Sequence, residues 1–300
     1  MRIASLIPSG TDIVAELGLS ASLVGVSHAC DHPSSRGLPV LTHSIIPADV
    51  APGEIDRLVS EALKADGGGS LYRTERALLK QLAPDIVLSQ IVCDVCAVNA
   101  ATARQDLPPL ARLIDLGATS FNGLWADMRA VAVATDADAE PLIASLQARL
   151  EAVRGAVAAQ NRPRVLALEW TDPPFLGGHW VPEIIEIAGG EHVLGSGGEP
   201  SRRATWPEIA DSDPDIILLV PCGYGLQETL RQGHALLHQE AFANLRAVKQ
   251  GKVWATDATH LFSRCTPQSV RTVEVVAGLL HPAVWPAPSP QEAVCLFATN

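Results

Sequence analysis

The 300-residue chain sets 22 Lys+Arg against 33 Asp+Glu, a formal net charge of −11, with 47% hydrophobic and 18% charged residues. That composition is globular rather than disordered, and its length allows two domains of roughly 100–150 residues, each with its own core. Four lysines and no basic block exclude a nucleic-acid binder, whose phosphate contacts need clustered cations, and no apolar run approaches the ~20 residues of a membrane-spanning helix.

RIASLI (2–7) reads as a first strand, followed by a helix from Ser9 or Thr11 through Leu17 that Gly18 closes. A hydroxyl residue before an apolar-periodic run and a glycine after it are the expected caps. LVGVSH (23–28) predicts a second strand and PVLTHS (39–44) a short third. Residues 54–64 have helical spacing, GGGS (67–70) is a loop, and Thr74 to Leu82 reads as a helix. PDIVLSQ (84–90) is a continuous apolar run of the type buried in a parallel sheet. From Leu124 to Gln160 helix formers dominate, predicting a shorter helix and then one of about 20 residues or more with Pro141 in its first turn. Strands resume with RVLALEW (164–170), DIILLVPC (215–222) and KVWATD (252–257). A last amphipathic helix from Pro267 to Leu280 runs into a proline-rich tail.

Strands alternating with helices argue for parallel α/β units. The two halves also echo each other. IVAELGLSASLVGVS (13–27) matches IIEIAGGEHVLGSG (184–197) in plan, and APDIVLSQ (83–90) matches DPDIILLV (213–220), each a strand introduced by Pro-Asp. The predicted class is therefore α/β, with two lobes that each hold a mostly parallel sheet flanked by helices, joined by one long α-helix. The expected boundaries are an N-terminal lobe over 1–120, a helical connecting segment over 121–162 and a C-terminal lobe with its tail over 163–300.

Ligands of open parallel sheets bind beyond the carboxyl ends of the strands. In the first half that rule nominates Ser9, the His28/Cys30/Asp31 group, His43, and Gln90 with Cys93 and Cys96. In the second half it nominates Glu169 and Trp170, the following TDPPFLGGHW loop with Phe175, His179 and Trp180, then Cys222-Gly223-Tyr224, and Asp257, His260 and Phe262. Aromatics are only 4% of the chain, so their concentration at strand ends is informative. Tyr72, after GGGS and before a helix, is either a loop contact or ordinary packing, whereas Trp125, Trp206 and Trp254 read as core.

Cys30, in SHACDHP, and the CxxC of Cys93 and Cys96 fall on separate strand ends and are able to converge. Three thiolates with an imidazole suit tetrahedral zinc, and thiolates suit Fe–S clusters. The alternatives are an inert or disulfide-bonded CxxC, or cysteines packed as small hydrophobes. Enzyme signatures are absent: no GxGxxG, Walker A, GxSxG or HExxH occurs. His234 and His238, four apart on a predicted helix, read as an exposed face, and nothing pairs the carboxylates Glu169, Asp172 and Glu183. The chemistry expected is binding without turnover. No basic and then apolar leader precedes the first strand, so the protein is expected in the cytoplasm as numbered, or in the periplasm or at the surface if a leader has been removed.

SLIPSGTDIVAELGLSASLVGVSHACDHP, LKQLAPDIVLSQ, the long helix, RVLALEW, ATWPEIADSDPDIILL and GKVWATDATHLFSR together resemble substrate-binding proteins of ABC transporters. The similar group is the cobalamin and iron-siderophore type with a single connecting helix, vitamin B12-binding proteins above all. The resemblance spans about residues 1–282, and SHACDHP, QIVCDVCAV and LEWTDPPFLGGHWVPE point to chains labelled cobalamin-binding. Gly10 and Asp12 stand where that group usually has Ala and Glu, and Cys265-Thr266 where it tends to have Pro-Gly.

The resemblance implies two α/β lobes with a ligand clamped between them, and a permease as partner. It places Ser9 in a turn lining the cleft, Gln90 and Cys93 on a loop facing it, and Trp170, His179 and Trp180 on the opposite lobe. The expected ligand is a corrinoid, cobalamin or a relative, bound without catalysis for ABC-type uptake or intracellular handling. Ser9, His28, Tyr72, Gln90, Trp170, Phe175, His179 and Trp180 are its expected contacts, with the protein gripping the periphery. Axial ligation of cobalt by His28, Cys30 or Cys93 is the alternative. Two other readings stand beside it: a metal- or Fe–S-dependent redox protein using Cys30, Cys93 and Cys96, and a haem or ferric-siderophore binder.

Overall fold

A computed structural model of the chain describes residues 1–47, 50–64, 71–92, 98 and 100–298. They divide into two units, the first formed by Met1–Ala118 with Asn122–Ala144 and the second by Thr119–Phe121 with Ser145–Asn300. In the first unit the strands are β1 (Ile3–Ser5), β2 (Leu23–Gly25), β3 (Thr42–Ser44), β4 (Tyr72–Thr74), β5 (Ile86–Gln90) and β6 (Arg112–Leu116). Its helices are α1 (Pro8–Glu16), α2 (Pro52–Lys64), α3 (Arg76–Leu82), α4 (Ala100–Asp106) and α5 (Phe121–Thr135). Four strands pair in the order β2-β1-β5-β6, all parallel. Ala4, Leu6, Leu41, Leu79 and Val87 form a core against this sheet, which is why β1 and β5 carry apolar side chains on both faces.

The short third strand differs from its expectation. Only Thr42–Ser44 is extended, and it pairs antiparallel with β4 in a separate two-stranded sheet, while Val40 makes an isolated parallel bridge to Val26. Tyr72 accordingly lies in a strand and not in a loop, and the helix expected from Thr74 starts at Arg76. Thr42 opposite Thr74 is a β-branched pair, which favours the ladder over a helical turn there. The GGGS segment lies outside the described residues.

The helical segment between the halves is α5 and then α6 (Glu140–Val157), 18 residues long. The first five residues of α6 belong to the first unit and the remainder to the second. Ile143, Leu146, Leu150, Val153 and Val157 are its buried positions, a three-and-four spacing that gives one apolar stripe.

In the second unit the strands are β7 (Arg164–Thr171), β8 (Pro174–Leu176), β9 (Glu191–His192), β10 (Arg202–Arg203), β11 (Ile216–Leu219), β12 (Val253–Thr256) and β13 (Ala293–Cys295). The helices are α7 (Val181–Ile187), α8 (Trp206–Asp211), α9 (Leu226–Leu236), α10 (Glu240–Ala243), α11 (Arg246–Lys249), α12 (Ala258–Leu261) and α13 (Ser269–Leu280). The sheet runs β10-β8-β7-β11-β12-β13, with β9 beside the start of β7. Its centre, β7-β11-β12, is parallel; the β7–β8 hairpin, β10 and β13 add antiparallel strands at the edges. TDPPFLGGHW is thus a hairpin with Phe175 in β8, not a free loop, and the proline-rich tail contributes a strand. His238 lies past the end of α9, so only His234 of that pair is helical; both are exposed.

The tail is fixed by ions as well as by β13. Arg271 on α13 reaches both oxygens of Glu292, at 2.7 and 2.9 Å, and bonds Glu274 at 3.0 Å. The Arg271 guanidinium, with the N–H and hydroxyl of Ser289, holds the Glu292 carboxyl down at about 2. A carboxylate lowered in the fold adds stability above its unfolded value and loses it as pH falls through the folded one, here from about 4.5 to about 2. Replacing Glu292 by Gln is expected to cost about 2 kcal/mol at neutral pH, after allowance for solvent screening, and much less near pH ~2.5. Urea unfolding across that range measures it, and an equal loss at both ends would show that the charge is not what matters.

Candidate functional site

In the first unit the carboxyl ends of β1, β2 and β5 gather most of the expected contacts. The backbone leaves β1 at Ser5, whose hydroxyl donates to the Ile7 carbonyl at 2.7 Å, and enters α1 at Pro8, placing Ser9 half-buried in the first turn. A Cβ on Gly10 would meet Ser5 Oγ at 2.8 Å and the Leu88 side chain at 3.0 Å, so the departure from Ala here matches the space available.

Beyond β2, Thr42 organises the surface. Its hydroxyl lies 2.9 Å from Ser27 Oγ and 2.8 Å from His28 Nδ1, and it accepts the His28 N–H at 3.1 Å. The imidazole so fixed faces Tyr72, ring centroids 5.6 Å apart. Partial burial, and then the neighbouring His43, lower its pKa. Gln90 is buried at the end of β5 and accepts the Val92 N–H at 2.6 Å. Ser9, His28, Tyr72 and Gln90 therefore lie at strand ends or on the small β3–β4 sheet beside them; Thr42, which positions two of them, carried no sequence signal beyond its type.

Cys30 is half-buried with its Sγ 3.1 Å from Thr11 Oγ1. Cys93 and Cys96 lie outside the described residues. Among the described residues no group of three or more His, Cys, Asp and Glu is arranged to hold a metal ion.

In the second unit the parallel strands β7, β11 and β12 deliver their carboxyl ends to one side. The segment after β11 is tied to both neighbours: Cys222 N–H donates to the Glu169 carbonyl at 3.1 Å, and Tyr224 accepts the Thr259 N–H at 3.0 Å. This seats the Tyr224 ring 5.3 Å from Trp170, tilted by 33°. Phe175 pairs with Trp170 across the hairpin, and the Arg203 guanidinium stands 5.6 Å over its ring. His179 has a left-handed backbone (φ +51°), donates its N–H to Glu199 at 2.7 Å and packs its ring 5.6 Å from Trp180. Burial lowers the His179 pKa. Trp180 caps α7 and its indole N–H donates to the Phe262 carbonyl at 3.0 Å, which makes it the anchor of that turn.

Carboxylates accompany the aromatics. Glu169 accepts from Ser201 at 2.7 Å, Glu228 accepts from Arg231 at 2.6 and 2.8 Å and from Gln232 at 2.7 Å, and Asp257 pairs with His260 at 2.7 Å. Trp125 is buried, as expected; Trp206 and Trp254 are half-buried, Trp206 packing edge-on against the core residue Phe242 and Trp254 lying in β12. No helix among the described residues is long and apolar enough to cross a membrane.

The model of the family described as periplasmic binding protein matches residues 3–259. A search of curated proteins finds no match. Among solved structures, a periplasmic haem-binding protein from Pseudomonas aeruginosa is similar with TM-score 0.73 and 18% identity, over 97% of this chain and 96% of that one. An ABC transporter substrate-binding protein from Listeria monocytogenes EGD-e gives 0.70 and 17%, over 94% and 98%. A periplasmic haem-binding protein from Roseiflexus sp. RS-1 gives 0.68 and 21%, also over 94% and 98%. At these identities the structures speak for a common fold, two α/β lobes with parallel sheets and flanking helices. With the family match spanning most of its length, the chain belongs to the periplasmic binding protein family.

Proposed function

We propose that the chain captures a corrinoid, cobalamin or a relative, without transforming it, and presents it to an ABC transporter permease from outside the cytoplasmic membrane. Family membership supports solute capture. The observation that carries the choice of ligand is at the strand ends of the second unit, where the Trp170 and Tyr224 rings stand 5.3 Å apart and the residue before Trp170 is the carboxyl-bearing Glu169. A corrinoid offers a broad ring with apolar edges and a rim of primary amides. Indole and phenol faces cover the first, and carboxylates accept hydrogen bonds from the second.

Haem is the second reading. Its support is that two of the similar folds bind haem, and that burial keeps the His28 and His179 imidazoles in the neutral, ligating form. Against it stands the Glu169 carboxyl, which when ionised repels a propionate; Glu228 is already paired with Arg231 at 2.6 Å. A zinc or Fe–S redox site at Cys30, Cys93 and Cys96 keeps only the cysteine spacing in its favour.

Purified protein incubated in parallel with hydroxocobalamin and with haemin, then freed of unbound ligand on a sizing column, separates these readings. Stoichiometric retention of hydroxocobalamin with unshifted visible bands is expected. Retention of haemin alone would install the second reading, and retention of neither would overturn both.

A further inference from the structure

Glu169 stands where β7 reaches its carboxyl end, immediately before Trp170. Its Oε2 accepts two hydrogen bonds, from Ser201 Oγ at 2.7 Å and from the Gly178 N–H at 3.4 Å. Both fall on one oxygen, and among the described residues Oε1 has no partner. The carboxyl cannot readily turn to share that load, because the backbone that holds it is locked. A Cβ on Gly178 would meet Ser201 N at 2.5 Å and Glu199 O at 2.6 Å, so the two donor segments cross with no space between them.

We infer that Glu169 is the residue by which this protein selects primary amides over carboxylates on the rim of its ligand, Oε1 accepting an amide N–H. The inference rests on the corrinoid reading above. A pinned acceptor receives a donor at little entropic cost, whereas a ligand carboxylate in that place sets two acceptors of like charge face to face. Burial pushes the Glu169 carboxyl up, so the discrimination is expected to sharpen as pH rises and Glu169 ionises. Sites that hydrogen-bond a ligand group reject the analogue lacking it far more strongly than apolar pockets reject a change of size.

The test compares dicyanocobinamide, an amide corrinoid, with dicyano-cobyrinic acid, its carboxylate counterpart, by equilibrium dialysis at about pH 8, where ordinary carboxyls are ionised. The native protein is expected to prefer the amide, and Glu169→Gln, whose amide donates, to lose about tenfold or more of that preference. Glu169→Ala, measured in parallel, is expected to lose preference as well, so misfolding of one variant leaves the comparison in place. Native protein that binds neither compound overturns the corrinoid reading itself. Native protein that binds both equally, or folded variants that keep the full preference, overturn the role of Glu169 while corrinoid binding stands.

Discussion

Replacing Gly278 by Ala is expected to destabilise the second unit by about 2–3 kcal/mol, although helix propensity alone would favour Ala by up to about 1 kcal/mol. Gly278 lies in α13, and a Cβ there would meet the Pro286 carbonyl oxygen at 2.2 Å, the Pro286 carbonyl carbon at 3.1 Å and Ala287 Cα at 3.2 Å. All three are backbone atoms, so no side chain can swing away, and the proline-rich segment must shift as a piece. That segment leads to Ser289, which donates to Glu292, to Glu292 itself, which Arg271 bonds, and then to β13 on the sheet edge. The clash therefore outweighs the propensity gain. Gly155 on α6 supplies the control: it is exposed, nothing lies within 4 Å of a Cβ built on it, and Ala there is expected to add about 0.5–1 kcal/mol. Thermal unfolding of both variants measures the difference. A Gly278→Ala protein as stable as Gly155→Ala would mean that the close approach of Pro286 does not hold in solution.

The two-lobe plan was legible because the same local solution occurs twice. Ala83, the C-cap of α3, and Asp213, two residues past the end of α8, both lie in the left-handed region, at φ +43° and +40°, and each is followed by Pro-Asp. The Asp85 carboxylate then accepts the Arg2 N–H at 2.7 Å, and the Asp215 carboxylate accepts the Arg164 N–H at 2.8 Å. Each aspartate thus fastens the start of the neighbouring parallel strand, β1 or β7. The echo of Pro-Asp in the sequence is an echo of this lock, which explains why a dipeptide common in many loops was informative here.

What escaped was decided by pairing between distant segments. Tyr72 gave no strand signal because β4 exists only through β3, and neither has apolar alternation of its own. Strands β8 and β13 are likewise antiparallel additions to the parallel centre, each only three residues long, which periodicity cannot separate from loops. For the candidate site, the strand-end rule brought forward His28, Gln90, Trp170 and His179 without knowledge of the fold. It had no means of finding Thr42 or Ser201. Their types are ordinary, and what matters is that β3 carries one to His28 and the chain leading into β10 brings the other to Glu169.

Trp170 and Trp206 should separate binding from folding. Trp206 is half-buried and packs edge-on against Phe242, 5.8 Å between centroids, on the flank of the core that β7, β11 and their helices enclose. Truncating it to Ala is expected to cost roughly 2–3 kcal/mol of stability and to leave the affinity of the folded protein for hydroxocobalamin within about twofold. Trp170 is half-buried too, at the carboxyl end of β7, but its ring lies beside Tyr224 and not against that core. Trp170→Ala is expected to weaken hydroxocobalamin binding by about 30- to 100-fold, the roughly 2–3 kcal/mol typical of an aromatic anchor, with a smaller loss of stability. Trp170→Phe, which keeps a ring face toward the ligand, should recover most of that affinity, because the contact sought is an apolar plane and not the indole N–H. Titration calorimetry and thermal unfolding on the three variants decide the matter. If Trp170→Ala binds as tightly as the native protein, the aromatic pair is a structural seam of the sheet edge, and the ligand surface has to be sought at other strand ends.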